Sequence, residues 1–418
     1  MIDIKNIKTT FSNNKKVAEN YFFMTFLQFT GLLISLLLYP YLIRVLGKES
    51  YGTYIFIFSN IQFFSIFVSF GFDLPSLKKI SLFPYDNKIK SQTISGVFTA
   101  KVCLLVLCTA ILASFIYIVP FVCANAVLYI IIFLTTLLID ILFPVWYFQG
   151  IQKMKFVTCV NLTLRILTIP LIFIFIKSPA DLLKYTLIVS LLPFAGGCFT
   201  FFYLQIKEKI QIRFVRLASL KPVFADALPF FWTSAFGTIK KEAVTFIIGT
   251  FFNMDSVALY DLAHKIVNIP RLITNSINSA LFPKVVKNHN AENVRTIIKY
   301  ETIIGLTVTI LIAAFGYWAV LILGGRDMLA SYPLAVILSF TIYAWLIVGC
   351  YINFVFVPYN KYYFVTRNQF AALASFLILS AVGLLISKNI IVLVSAYTLS
   401  HLVEIIYCRY LIKKHQLL

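Results

Sequence analysis

The stretch Phe230–Phe252, FFWTSAFGTIKKEAVTFIIGTFF, decides how this chain is read. Its flanks are those of a helix that crosses a bilayer, yet Lys240, Lys241 and Glu242 stand at its centre. They cannot lie at the membrane surface. Only Ala243–Phe252 separates Glu242 from the polar turn NMDS that follows, and a helix of that length rises about 15 Å, half of a hydrocarbon core about 30 Å thick. A charge at the bilayer centre costs about 2.5–3.5 kcal/mol on insertion scales, so these side chains must face a helix bundle or water.

The rest of the chain has the composition such a helix needs. Of 418 residues, 60% are hydrophobic and 12% charged, against about 45–50% and 25% in soluble domains. The fold class is therefore an all-α polytopic membrane protein. Lys5, Lys8, Lys15 and Lys16 precede a first apolar run too long for a leader peptide, which reads as a retained first helix. Apolar runs between charged or turn-forming breaks predict twelve transmembrane helices, at 21–43, 51–72, 93–118, 126–148, 156–176, 183–205, 227–252, 257–282, 300–323, 332–356, 364–386 and 390–412. With the N-terminus inside, 24 of the 36 basic residues fall on inner segments and 6 on outer loops. The positive-inside rule then puts both termini in the cytoplasm. The net charge of +20 follows from this topology and from attraction to anionic lipid, so nucleic acid is not an expected partner.

No loop is long enough for a soluble catalytic domain. LGKES, Leu46–Ser50, lacks the upstream glycine of a phosphate-binding loop, and neither HExxH nor GxSxG occurs. The expectation is a transporter, not an enzyme, with no bound metal. Seven cysteines without metal spacing read as packing residues. The longest inner loop, 206–226, divides the chain into six-helix halves at 1–205 and 227–418 that would enclose a central cavity. Lys48–Ser59 matches Met254–Lys265 at a constant offset, pairing Glu49 with Asp255, Ser50 with Ser256 and Tyr54 with Tyr260. Repeats of this kind are common in transporters.

Helical periodicity assigns the charges to faces. In the seventh span, Ser234, Thr238, Lys241, Thr245 and Gly249 form a polar stripe flanked by Lys240 and Glu242, with Trp232, Phe236, Ile239, Ala243, Phe246 and Ile247 toward lipid. In the eighth, Asp261, His264, Lys265, Asn268, Arg271, Asn275 and Asn278 share one broad face. The first half contributes Lys101, Asp140 and Arg165, and Ser69 and Asp73 on one face of the second helix. Equal depth predicts an Asp140–Arg165 pair and a Glu242–Lys265 pair, while Lys101 is close enough to the inner surface to snorkel. Away from the span ends, and counting Glu404, the spans hold six cations and four carboxylates, a balance suited to anionic cargo.

YPYLIRVLGKESYGTY (Tyr39–Tyr54), FGFD (Phe70–Asp73), SVALYDLAHKI (Ser256–Ile266) and SINSALFPKV (Ser276–Val285) together resemble the lipid-linked O-antigen repeat-unit flippases. These are the Wzx-type polysaccharide transport family of the multidrug/oligosaccharidyl-lipid/polysaccharide exporter superfamily. The resemblance spans the whole chain and implies a flippase that turns undecaprenyl-pyrophosphate-linked oligosaccharide from the cytoplasmic to the periplasmic leaflet of a bacterial inner membrane. It implies no cofactor, a proton or sodium as coupling ion, and O-antigen assembly proteins as partners. Lys240, Lys241, Lys265 and Arg271 would attract the pyrophosphate and sugar. Two alternatives remain: an ion-coupled multidrug exporter of the same superfamily, and an O-antigen polymerase, which would usually need a large periplasmic loop.

Overall fold

The computed structural model describes the backbone of residues 4–287, 291–359 and 361–417, and their side chains except at 4–18, 272–273, 275–287, 291 and 293. Among the described residues there is no strand. The helices are α1 (Ile4–Ser69), α2 (Asp73–Leu82), α3 (Asn87–Ile118), α4 (Pro120–Ala124), α5 (Ala126–Leu142), α6 (Val145–Gly150), α7 (Met154–Phe175) and α8 (Leu182–Ile206). They continue with α9 (Lys221–Phe251), α10 (Met254–Lys287), α11 (Ala291–Gly324), α12 (Ser331–Tyr351), α13 (Tyr362–Ile386) and α14 (Ile390–Lys414).

Nine helices among the described residues are long and apolar enough to cross a membrane. Three adjustments turn that number into the twelve predicted crossings. The first concerns α1, which is 66 residues long and would reach about 100 Å if straight. It is broken at Gly47 by a φ of 77° and ψ of 167°, a conformation that favours glycine. The kink falls in the predicted loop and separates two spans. The other two adjustments are α9 and α10, which are long enough, carry charged residues along their length and are not among the nine. Local chemistry explains the remaining breaks. Pro144 cannot donate to a helical carbonyl and separates α5 from α6, whereas α12 runs on through one π-helical turn, Ile352–Phe356.

By their internal contacts the residues fall into two units. One comprises Met1–Ser35 and Ile61–Phe231. In it α5 packs on α3 and α8, and α7 on α8, while the short α2 lies against α6 and α3. Its core gathers Phe72, Trp146, Tyr147, Phe148, Val157 and Leu204, all nearly free of solvent. The loop after α8 is pinned along α3 by a ladder. Backbone N–H groups of Gln211, Arg213 and Val215 donate to the hydroxyl oxygens of Ser91, Ser95 and Thr99 at 3.2, 3.1 and 3.1 Å. Four residues of helix rise about 6.0 Å and two extended residues about 6.6 Å, so the two repeats keep step.

The other unit comprises Leu36–Asn60 and Trp232–Leu418. Here α12 packs against α10, α11 and α14, and α13 against α14, around Ile347, Cys350, Phe354, Phe356 and Phe364. The segment 36–60 belongs here because it lies on α10. A Cβ added at Gly52 would stand 1.9 Å from the Met254 carbonyl oxygen, so the two backbones can approach this closely only without a side chain.

Candidate functional site

The second unit holds most of the predicted charges, and it pairs them differently from the expectation. Lys240, 4% exposed, is ion-paired with Glu404 of α14, itself 5% exposed, with the Tyr397 ring centroid 5.5 Å from the ammonium. Lys241 pairs with Glu242 at 2.8 Å, and its own side chain is exposed. Lys265 pairs with Asp261 one turn earlier on α10. The same ammonium donates to the Tyr51 hydroxyl at 2.9 Å and sits 5.2 and 5.5 Å from the Tyr39 and Tyr51 rings. Tyr51 in turn donates to Asp261 at 3.0 Å.

The predicted Glu242–Lys265 pair is therefore replaced. Each partner finds an opposite charge nearer in sequence, at i−1 and i−4, and aromatic walls from residues 39 and 51 hold Lys265 in place. Ala243, assigned to the lipid side, is buried, whereas Trp232 and Phe246 on the same stripe are exposed as expected. His264 faces Asn268 at 3.1 Å and stacks near Tyr260. Asn275 and Asn278 lie outside the described side chains.

Arg271 stands apart. Its guanidinium donates to the Thr341 hydroxyl and, at 3.5 Å, to the Asn268 side-chain oxygen, while its Nε–H has no partner among the described residues. No carboxylate lies within 4.0 Å of it among the described residues, in contrast to Lys240, Lys241 and Lys265. The buried hydroxyl of Tyr260, close enough to interact with Arg271, is also without a partner among the described residues. Two unmatched polar groups beside a cation with no carboxylate in contact call for an acceptor that the described residues do not supply.

In the first unit, Lys101 does not snorkel. It is 2% exposed, and its ammonium reaches Asp140 Oδ2 at 2.9 Å, the Asp140 carbonyl at 3.2 Å and Asp73 Oδ1 at 3.5 Å. Ser69 donates to the same Asp140 oxygen at 3.0 Å. The expected Asp140–Arg165 pair does not form. Lys101 projects from α3 directly onto α5 and takes the carboxylate, leaving Arg165 of α7 to donate to the Leu27 carbonyl of α1 at 2.9 Å.

Sequence reasoning counted Glu404 among the embedded charges but missed its site, which includes Tyr397 and His401. His401 is buried and lies 3.0 Å from the Tyr397 carbonyl. The signal was present: residues 397, 401 and 404 follow helical spacings of four and three in a span that is otherwise apolar.

Comparison with known proteins places this geometry. A family model described as polysaccharide biosynthesis protein matches residues 17–289. A protein of Escherichia coli strain K12 named "Putative O-antigen transporter" is 26% identical over 321 residues, covering 77% of this chain and 76% of that protein. Among solved structures, the lipid II flippase MurJ in an inward closed conformation superposes with a TM-score of 0.69 at 14% identity, covering 93% of this chain and 87% of that one. An inward-facing multidrug resistance MATE family transporter of the MOP superfamily also gives 0.69 at 14% identity, with 92% and 95% covered. The all-helical fold is thus that of the MurJ and MATE transporters.

Proposed function

The chain belongs to the polysaccharide biosynthesis protein family, and from that premise we propose that it is a flippase for an anionic, lipid-linked oligosaccharide. The passenger is undecaprenyl pyrophosphate carrying an O-antigen repeat unit, moved from the cytoplasmic to the periplasmic leaflet of a bacterial inner membrane by alternating access. Both termini are cytoplasmic, and the partners are O-antigen assembly proteins. The relative named for O-antigen transport supports the cargo.

One observation carries the reading: among the described residues, Arg271 is a cation in a predicted span with no carboxylate partner, and its Nε–H and the Tyr260 hydroxyl are unmatched. A planar guanidinium presents paired donors that suit a phosphate oxygen face, and in a low-dielectric site such bonds are about twice as strong as neutral ones. Lys240 and Lys265, already neutralised, hold the helices that present Arg271. Lys241 is the reserve: its side chain is exposed, and its bond to Glu242 can give way to a second phosphate.

The test is complementation. In a host deleted for its own O-antigen flippase but supplied with the matching repeat-unit genes, expression of this chain is expected to restore long-chain surface polysaccharide. Restored drug resistance without polysaccharide would favour the exporter.

A further inference from the structure

The sequence places residues 206–226 in an inner loop, whereas the structure lays part of that segment along α3. Its inward row, Ile210, Ile212, Val215 and Leu220, joins the core of the first unit, with Ile210 and Leu220 at 1% and 4% exposure. Its outward row is Arg213, Phe214, Arg216 and Leu217, all exposed. Two of these are large apolar residues, Phe214 and Leu217, each 70% exposed.

Depth along α3 says what they meet. The helix has 32 residues, from Asn87 to Ile118, and about 20 suffice to cross the hydrocarbon. Counted back from Ile118, it enters the hydrocarbon near Phe98 and Thr99, and its earlier turns lie at headgroup level. The Arg213 N–H bonds Ser95 and the Val215 N–H bonds Thr99, while the Phe214 ring lies 5.5 Å from that of Phe98. Phe214 therefore stands where headgroups give way to acyl chains, the level at which aromatic side chains gather. Arg213 and Arg216 flank it, and a long basic side chain there keeps its stem in the apolar layer and its head among the phosphates. Neither guanidinium has a carboxylate within 4.0 Å among the described residues. Glu208 is taken by Lys153 at 2.6 Å, and Asp86 accepts from the backbone N–H groups of Lys88 and Ile89 at the start of α3. Exposed Lys207, Lys209 and Lys221 outweigh exposed Asp226.

We propose that Arg213–Leu217 is a binding site for the headgroup of an anionic phospholipid in the leaflet predicted to face the cytoplasm. The guanidinium groups of Arg213 and Arg216 take the phosphate oxygens in paired hydrogen bonds, while Phe214 and Leu217 pack against the first carbons of the acyl chains. The backbone is already held by the ladder to Ser91, Ser95 and Thr99, so little order has to be gained on binding. A soluble phosphate would leave Phe214 and Leu217 uncovered; a lipid covers both. The site belongs to the first unit and does not depend on what the protein transports.

The experiment uses the full-length purified protein in phosphatidylcholine vesicles with Phe214→Trp as reporter; the parent, with its 4 native tryptophans, gives the background. A fixed fraction of the lipid is brominated phosphatidylglycerol or brominated phosphatidylcholine. The emission added by Phe214→Trp is expected to be quenched more by phosphatidylglycerol at equal mole fraction. In detergent, native mass spectrometry of the parent should show tighter binding of phosphatidylglycerol than of phosphatidylcholine. Arg213→Gln with Arg216→Gln should weaken phosphatidylglycerol binding roughly 25-fold, at about fivefold per basic residue near a lipid surface, and leave phosphatidylcholine unchanged. Both arginines are exposed and the ladder uses only the backbone of this segment, so the double variant should elute from size exclusion as the parent does. Lys413→Gln with Lys414→Gln removes the same charge from the same predicted side and should keep the lipid preference. Equal loss in the two double variants would mean attraction to surface charge in general and would overturn the site. Equal quenching by the two lipids would overturn it too, as would displacement of the lipid by inorganic phosphate at an ionic strength where chloride has no effect.

Discussion

Arg271→Gln is expected to reduce surface polysaccharide about 10- to 100-fold while the protein remains folded in the membrane. The change keeps a neutral amide donor but removes the charge that would meet the pyrophosphate and the Nη groups that reach Thr341 and Asn268. A hydrogen bond to a charged group is worth about 1.5–3 kcal/mol, and each 1.4 kcal/mol is a factor of about ten in affinity. Arg271→Lys should fall between, since an ammonium keeps the charge and loses the planar fork. Lys153→Ala, which disturbs only a partly exposed pair with Glu208, is the control and should export normally. Gel analysis of surface polysaccharide at matched membrane levels checks the ranking, and normal export by Arg271→Gln would refute it.

The Lys240–Glu404 pair should respond oppositely, through stability. Both side chains are about 5% exposed, and removing one partner of a buried pair costs about 3–5 kcal/mol because the other charge is left uncompensated. Lys240→Met and Glu404→Leu alone should each lower the melting temperature in detergent and the yield of folded protein. The double variant Lys240→Met/Glu404→Leu should recover most of that loss, since packed apolar residues often replace a buried pair at little cost. A double-mutant cycle in which the losses simply add would mean that the two residues act independently.

These assignments mark where the sequence was legible. The crossings could be read because the bilayer imposes a length on every apolar run, and even the Gly47 break falls where charges interrupt one. That Lys240 sits in a protein interior was foreseeable from distance along the chain alone. Partners were not. Depth and helical face leave several carboxylates equally available to one lysine, and the choice is made by tertiary packing: α14 lies beside α9 to present Glu404, Tyr51 closes over Lys265, and α3 delivers Lys101 to Asp140 before Arg165 can reach it. The packing of the 206–226 loop along α3 was not legible, because the Ser91, Ser95 and Thr99 ladder acquires meaning only once an extended chain with matching rise lies against it.

The most direct measurement of the central claim is leaflet exchange in proteoliposomes. Purified protein would be reconstituted with a prenyl-pyrophosphate-linked oligosaccharide bearing a label that a membrane-impermeant reagent can remove. The account predicts that the label on the protected leaflet becomes accessible with wild-type protein, that Arg271→Gln slows this to nearly the rate of protein-free vesicles, and that a neutral prenyl-linked sugar without the pyrophosphate is not accelerated. Equal acceleration of charged and neutral lipids, or of wild type and Arg271→Gln, would contradict it.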